Sequence, residues 1–196
     1  LKNRLNYKSK ADFPLLDYNI AYCYFKLKNY EKSATIFNSF SKQSNNESNI
    51  LDDTFLRLGD SYFAIRDYKA AINAYETVVA KNGLNADYAT YQIGMSHGFR
   101  NDDIAKVTAL TNVINNYQIS TLKDDALYQL AITYTQLKDN EKAHIAYKRL
   151  QEKHPKSVFL PRALVREGLL YYNENKNDKA LELFKLTTSK FPNSSD

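Results

Sequence analysis

Residues 94–98 read GMSHG, the G-x-S-x-G spacing in which a serine on a strained strand-to-helix turn becomes the nucleophile of an acyl-transfer enzyme. That chemistry would fall to Ser96. The elbow needs a strand before it, because only a sharp turn exposes the hydroxyl, yet YATYQI places its apolar residues at helical spacing. Ser96 is therefore expected inside a helix, without chemistry. His97, His144 and His154 are the only histidines, and none has another His or Cys at metal-ligand spacing. His144 is expected on an outer helix face, and His154, before Pro155, at a helix end. Cys23 is the single cysteine, which excludes an internal disulfide and a cysteine-rich zinc site. Flanked by Tyr22 and Tyr24, with no adjoining base to lower its pKa, it is expected to serve helix packing and not nucleophilic attack. Asp52-Asp53, Asp102-Asp103 and Asp124-Asp125 are placed at helix starts, where the helix dipole accounts for paired acids without a general acid. No glycine-rich loop cradles phosphate. These residues predict no catalytic centre, no metal and no cofactor.

The elements that position these residues follow from composition. The chain has 196 residues, 43% of them hydrophobic and 25% charged, with four prolines and five glycines. That balance suits an all-α fold of long helices joined by short turns. No run approaches the roughly 18 apolar residues of a membrane span, and no basic start leads into an apolar signal core. The net charge of +5 is concentrated at the front: residues 1–13 carry +3. Successive segments 14–51, 52–86, 87–123, 124–160 and 161–196 carry +1, −1, 0, +1 and +1. A basic face broad enough for a run of phosphates is not visible.

Internal similarity decides the architecture. RLGDSYFAIRDYKAAINAY (57–75), LYQLAITYTQLKDNEKAHIAY (127–147) and LVREGLLYYNENKNDKALELF (164–184) share one grammar, and 18–37 and 91–110 follow it more loosely. A small residue recurs as Ala21, Gly59, Gly94, Ala131 and Gly168, followed by an aromatic at Tyr24, Tyr62, Tyr134 and Tyr171, with His97 in the third slot. A second small residue recurs as Ser33, Ala71, Ala143 and Ala180, with Lys106 the exception, and an apolar one as Phe37, Tyr75, Leu110, Tyr147 and Phe184. Glycine costs a helix interior about 1 kcal/mol relative to alanine. Close crossing of two antiparallel helices supplies the reason, with Gly59 expected to meet Ala71 and Tyr62, Leu58 and Tyr75 packing around the contact. Asp and Asn in the turns are placed to cap the second helices.

This grammar resembles the tetratricopeptide repeat, a helix-turn-helix unit with large apolar, small, Tyr, Ala and aromatic positions and a late proline, here Pro155 and Pro192. The third unit, with Thr90, His97 and Lys106, departs most, and Glu167 stands where the family has a large apolar residue. The resemblance implies a right-handed α-solenoid of about five units, at 14–51, 52–86, 87–123, 124–160 and 161–196. Residues 1–13 are a tail or linker. Leu1 and Leu5 in LKNRLNYKSKADFP, and the ending KFPNSSD, suggest an excerpt of a longer array.

A second stripe runs along the first helix of each unit, offset two positions from the small residue. It reads Leu15, Tyr18, Tyr22, Phe25; Asp53, Leu56, Asp60, Phe63; Tyr88, Tyr91, Met95, Gly98; Asp125, Tyr128, Ile132, Thr135; and Arg162, Val165, Leu169, Tyr172. Eight of these twenty are aromatic, against 13% for the chain. In the family resembled, such positions line a concave groove that takes ligand peptides, and aromatic anchors bury large area at low entropic cost. The same positions also pack between neighbouring units. Three acids against one arginine predict a mildly acidic groove and a partner with apolar and basic residues. Lysine is absent from the stripe, so the carboxylate clamp of chaperone-binding members is not implied. The expected function is a non-catalytic scaffold that binds a protein, a peptide or further copies of itself. The alternatives are a solenoid that stacks single-stranded nucleic acid, or an appendage of a larger enzyme. Linkers such as KHPKSVFLPRA resemble bacterial cell-envelope members, of the outer-membrane assembly lipoprotein and Tol–Pal-associated kinds, which implies an envelope partner in the periplasm.

Overall fold

The computed structural model describes residues 15–42, 48–83 and 85–192. They form ten α-helices, with no strand among the described residues: α1 Leu16–Lys26, α2 Tyr30–Ser41, α3 Ser48–Ala64, α4 Tyr68–Ala80, α5 Ala86–Phe99, α6 Asp103–Asn116, α7 Lys123–Gln136, α8 Asn140–Lys153, α9 Leu160–Asn173 and α10 Asn177–Lys190. Leu1, Leu5 and the rest of residues 1–13 lie outside the described residues, as do the last four of KFPNSSD. The chain divides into two compact units, residues 1–100 and 101–196. No described helix is long and apolar enough to cross a membrane.

The turns inside the hairpins follow one rule. After α1, α3, α7 and α9 the second residue of the turn, Lys28, Arg66, Lys138 or Asn175, takes the left-handed conformation at φ between 58° and 65°. Its amide and the next one reach back to carbonyls of the last turn, as in Lys28 to Phe25 and Asn29 to Tyr24. This pattern closes a helix by satisfying its orphan carbonyls. The next residue then opens the following helix: Asn29, Asp67 and Asp139 each accept an amide of the new first turn through the side chain. Asp102 does the same for α6. The expected capping thus holds at these four starts, while Lys176 gives α10 no side-chain cap.

The small positions sit where the spacing put them, but the glycines face a different partner. A Cβ on Gly59 would lie 2.5 Å from Tyr75 Cε1, and one on Gly168 would lie 2.5 Å from Phe184 Cε1. The nearest neighbour of Gly59 is therefore the aromatic ring of the second helix and not Ala71. A ring laid flat against helix backbone leaves no room for a methyl, which is why the position is glycine. In the first hairpin Ala21 and Phe37 share one buried cluster with Ala34, Leu58 and Ala74. Ala71, Tyr75 and Val78 form the next with Leu56 and Ala89. In the second unit Leu110, Val113, Leu127, Ala131, Tyr147, Leu150 and Leu164 are buried, as are the small residues Ala143 and Ala180. Ser33 is buried too, and its Oγ accepts the Ser61 hydroxyl at 3.1 Å.

Three chemistry-bearing features resolve into structure. GMSHG lies within α5, Gly94 is buried, and the buried Ser96 hydroxyl donates to the Gln92 carbonyl at 2.7 Å, so no nucleophile elbow exists. Cys23 is exposed and does not pack, because it falls off the face that carries Ala21, Tyr18 and Phe25 to their neighbours. Asp52 and Asp53 lie beyond the first turn of α3. Their partners are side chains: Asp52 pairs with Lys81 at 2.6 Å, and Asp53 with Arg57 at 3.3 Å. Asp103, Asp124 and Asp125 do occupy first turns, as expected from the dipole. Thr90 returns its hydroxyl to the Ala86 carbonyl at 2.7 Å, and Lys106 is buried in α6, which lowers its pKa despite nearby Asp103.

Candidate functional site

In the first unit the stripe positions of α1, α3 and α5 face one another, and a polar chain ties them together. Tyr18 donates to Asp53 at 2.5 Å, and Arg57 bridges Asp53 at 3.3 Å and Asp60 at 3.2 Å. Asp60 also accepts Tyr75 at 2.8 Å and Tyr88 at 2.9 Å, and the Tyr88 oxygen accepts Gln92 at 2.7 Å. Burial pushes the Asp60 carboxyl up, against the pull of these donors. Burial, and Asp60 next to it, push the Tyr88 hydroxyl up to about 12 and raise Tyr75 further. Arg57 is opposed by burial, yet Asp53 and Asp60 outweigh that and hold its charge more firmly. Two acids of the expected acidic groove are thus engaged within the fold by one arginine and three tyrosines.

The outer part of this face is aromatic. Tyr22 stacks between Tyr18 at 6.2 Å and Phe25 at 6.3 Å. Lys26 lies over the Tyr22 ring at 5.1 Å and Arg57 over Phe25 at 5.7 Å, both at cation–π distance. Phe63 meets Tyr68 and Phe99 edge to face. Tyr22, Phe25, Phe63 and Met95 are half-buried, whereas Leu56 and Tyr91 are buried and present no face to a ligand.

In the second unit Tyr128 is likewise inside: it stacks on Phe159 at 5.2 Å and its hydroxyl accepts Arg166 Nε at 3.0 Å. Ile132 is half-buried, and Leu169 and Tyr172 are exposed at 49% and 60%. The expected site therefore separates into residues that join neighbouring helices (Tyr18, Asp60, Tyr88, Leu56, Tyr91, Tyr128) and residues with surface to offer (Tyr22, Phe25, Phe63, Met95, Ile132, Leu169, Tyr172).

Spacing alone missed two groups. Arg57 stands four residues after Asp53 and three before Asp60 in DDTFLRLGD, a helical ion-pair pattern that would have found it. His144 is not on an outer face. Its Nδ1 is 3.2 Å from Glu167 and its Nε2 3.3 Å from Glu174, and its ring stacks on Tyr171 with centroids 3.9 Å apart. Glu167, the residue that breaks the apolar pattern, is buried at this α8–α9 contact and also accepts Gln151 at 2.5 Å. Burial pushes its carboxyl up, countered by His144 and Gln151. A cavity of about 360 Å³ lies beside it, between α8, α9 and α10. A second, about 210 Å³, lies between α6 and α8 over Leu127 and Leu130. Among the described residues no three His, Cys, Asp or Glu are grouped to hold a metal ion.

Comparison with known proteins agrees with this geometry. One tetratricopeptide repeat profile matches residues 16–44, 125–157 and 162–194, and a second matches 56–96. The chain belongs to the tetratricopeptide repeat family. A search of curated proteins by sequence finds no match. Among solved structures, a MamA protein is 23% identical with a TM-score of 0.74, the alignment covering 90% of this chain and 91% of that one. MamA from Desulfovibrio magneticus RS-1 is 16% identical with a TM-score of 0.73, covering 93% and 97%. YrrB, described as a tetratricopeptide repeat protein with an unusual peptide-binding site, is 15% identical with a TM-score of 0.67, covering 89% and 84%. At these identities the likeness is one of fold.

Proposed function

We propose that the chain is a non-catalytic scaffold whose first helices bind a protein or peptide partner through the apolar side chains that internal packing leaves outside. The observation that carries this reading is the exposure of Leu169 and Tyr172 on α9, joined in the first unit by the half-buried pair Tyr22 and Phe25. Amphipathic rings of this kind anchor partners at low entropic cost. The peptide-binding site named for YrrB supports the same class of ligand. Asp53 and Asp60 are already engaged, and cations stand beside these rings: Lys26 over Tyr22, and Arg162 and Arg166, both exposed, on α9. The partner segment is accordingly apolar with acidic flanks, in place of the basic one expected from the stripe alone. A role in bacterial envelope assembly rests on the linker resemblance alone and is tested by fractionating cells that express the tagged chain.

The binding test immobilises the full chain and measures capture with Phe25→Ala and Tyr172→Ala, beside Ile104→Ala, which is 77% exposed on the second helix α6. Loss of about tenfold in each of the first two, with Ile104→Ala unchanged, is the expected result. Equal capture by all three removes the first-helix face as the site. Steep loss of binding between low and moderate salt would favour single-stranded nucleic acid instead. Sedimentation of the chain alone identifies a partner that is another copy.

A further inference from the structure

The two cavities of the second unit are one notch formed twice. Each opens between two successive second helices, α6 and α8 or α8 and α10, and is lined from the same places in the repeat. Tyr134 and Lys142 of the first recur one repeat later as Tyr171 and Lys179 of the second. The chemistry between them does not recur. Where the first notch has Ile114, Leu130 and Ile145, the second has Gln151, Glu167 and Glu182. Repeat geometry makes the notch, and the individual side chains decide what it holds.

The floor of the first notch is apolar and closed to water: Leu127 is 2% exposed, and Leu130, Ile114 and Ala146 are 5% exposed. Ile145 stands over it on α8 at 59% exposure. An apolar side chain laid between floor and wall takes all of this surface out of water. The charged residues of the lining are Lys142 and Arg149, both exposed, and no acid is among them. Lys142 is held by Asp139 at 2.6 Å, whereas Arg149 has no ion pair among the described residues. Its guanidinium fork matches the geometry of a carboxylate. At about 210 Å³ the notch is smaller than the roughly 300–1,000 Å³ of small-molecule pockets, and it has room for side chains of a peptide. None of its lining residues belongs to the first-helix stripe, so it is independent of the binding face argued above.

We propose that the notch between α6 and α8 docks a partner peptide segment that carries a bulky apolar side chain beside a carboxylate. The apolar group lies against Ile145 over Leu127 and Leu130, and the carboxylate meets Arg149. The second notch rejects the same segment. Its floor ends in the Glu167 carboxylate and its wall in Glu182, and both repel an anion. Its lysines are already occupied, Lys148 with Glu152 at 3.8 Å and Lys179 over the Tyr171 ring at 5.3 Å. Of two places with the same backbone, one attracts this partner and the other excludes it.

The test selects peptides from a random display library on the immobilised full chain and measures the enriched ones, synthesised with a dye, by fluorescence anisotropy. They should join Leu, Ile, Met or Phe to a neighbouring Asp or Glu. Affinity should fall about tenfold or more with Ile145→Glu and with Arg149→Glu, and stay unchanged with Phe25→Ala and Tyr172→Ala. Both notch positions are exposed, and Ile145→Ser and Arg149→Gln replace any variant that loses helical circular dichroism. Failure to enrich such peptides overturns the notch, as does binding that survives both notch substitutions. Peptides lost only with Phe25→Ala or Tyr172→Ala also overturn it, and leave the first-helix face standing.

Discussion

Asp60 and Glu167 are the same problem solved twice. Each is a carboxylate drawn into a contact between successive repeats, and burial pushes each up. In the first unit the donors are permanent: Arg57 is charged throughout the accessible range, and the Tyr75 and Tyr88 hydroxyls are raised well above theirs. In the second unit the groups against the carboxylate are the His144 imidazole and the Gln151 amide. A buried carboxylate is thus compensated by a guanidinium and two hydroxyls in one joint, and by an imidazole and an amide in the other.

The largest expected effect breaks the first joint. Asp60→Leu leaves Arg57 without one of its two carboxylates and two tyrosine hydroxyls without an acceptor. Stranding buried donors in this way is expected to cost about 3 kcal/mol in urea unfolding at pH 7. Glu167→Leu in the other unit should cost less than about 1 kcal/mol, since it also removes the burial of a charge. Equal losses for the two variants would erase the distinction between the joints.

The glycines give a second, smaller contrast. Gly59→Ala gains about 1 kcal/mol of helix propensity but drives its methyl into Tyr75, which is fully buried and tied by its hydroxyl to Asp60. Overpacking of this kind costs about 1–3 kcal/mol, so a net loss of about 1 kcal/mol is expected from thermal unfolding. Gly168→Ala meets Phe184 at the same distance, but that ring is half-buried and has no hydroxyl to hold it. It can turn aside, and the variant should fall within about 0.5 kcal/mol of the parent. A loss at Gly168 as large as at Gly59 would show that crossing distance alone, and not the anchoring of the opposing ring, sets the cost.

What could be read from the sequence divides along the same physical line. Hairpins, caps and small positions were legible because they depend on residues close in the chain or on a register repeated down it. Asn29, Asp67, Asp102 and Asp139 cap as their turn positions require. The partner of Gly59, the settings of Asp53 and Asp60 and the burial of Leu56, Tyr91 and Tyr128 depend on which side chains meet across a contact, and spacing within one helix does not contain that information. Cys23 failed for a related reason: apolar neighbours in sequence are not neighbours around a helix. Glu167 was visible as an exception to the repeat, but its partner His144 lies on the preceding helix and offers no local signal.

The smallest effect concerns the turns, where both units hold non-glycine residues in the left-handed conformation. Arg66 does so at φ 65° in the first unit and Asn175 at φ 60° in the second. A Cβ strains that backbone by about 1 kcal/mol or more, while asparagine tolerates it through local hydrogen bonding of its short side chain. Arg66→Gly removes the strain but gives the unfolded chain more freedom, so the net gain should be about 0.5 kcal/mol. Asn175→Gly, starting from a residue suited to the conformation, should give no resolvable gain. Reversed rankings in matched thermal unfolding curves would mean that Arg66 contributes a contact worth more than the strain it carries.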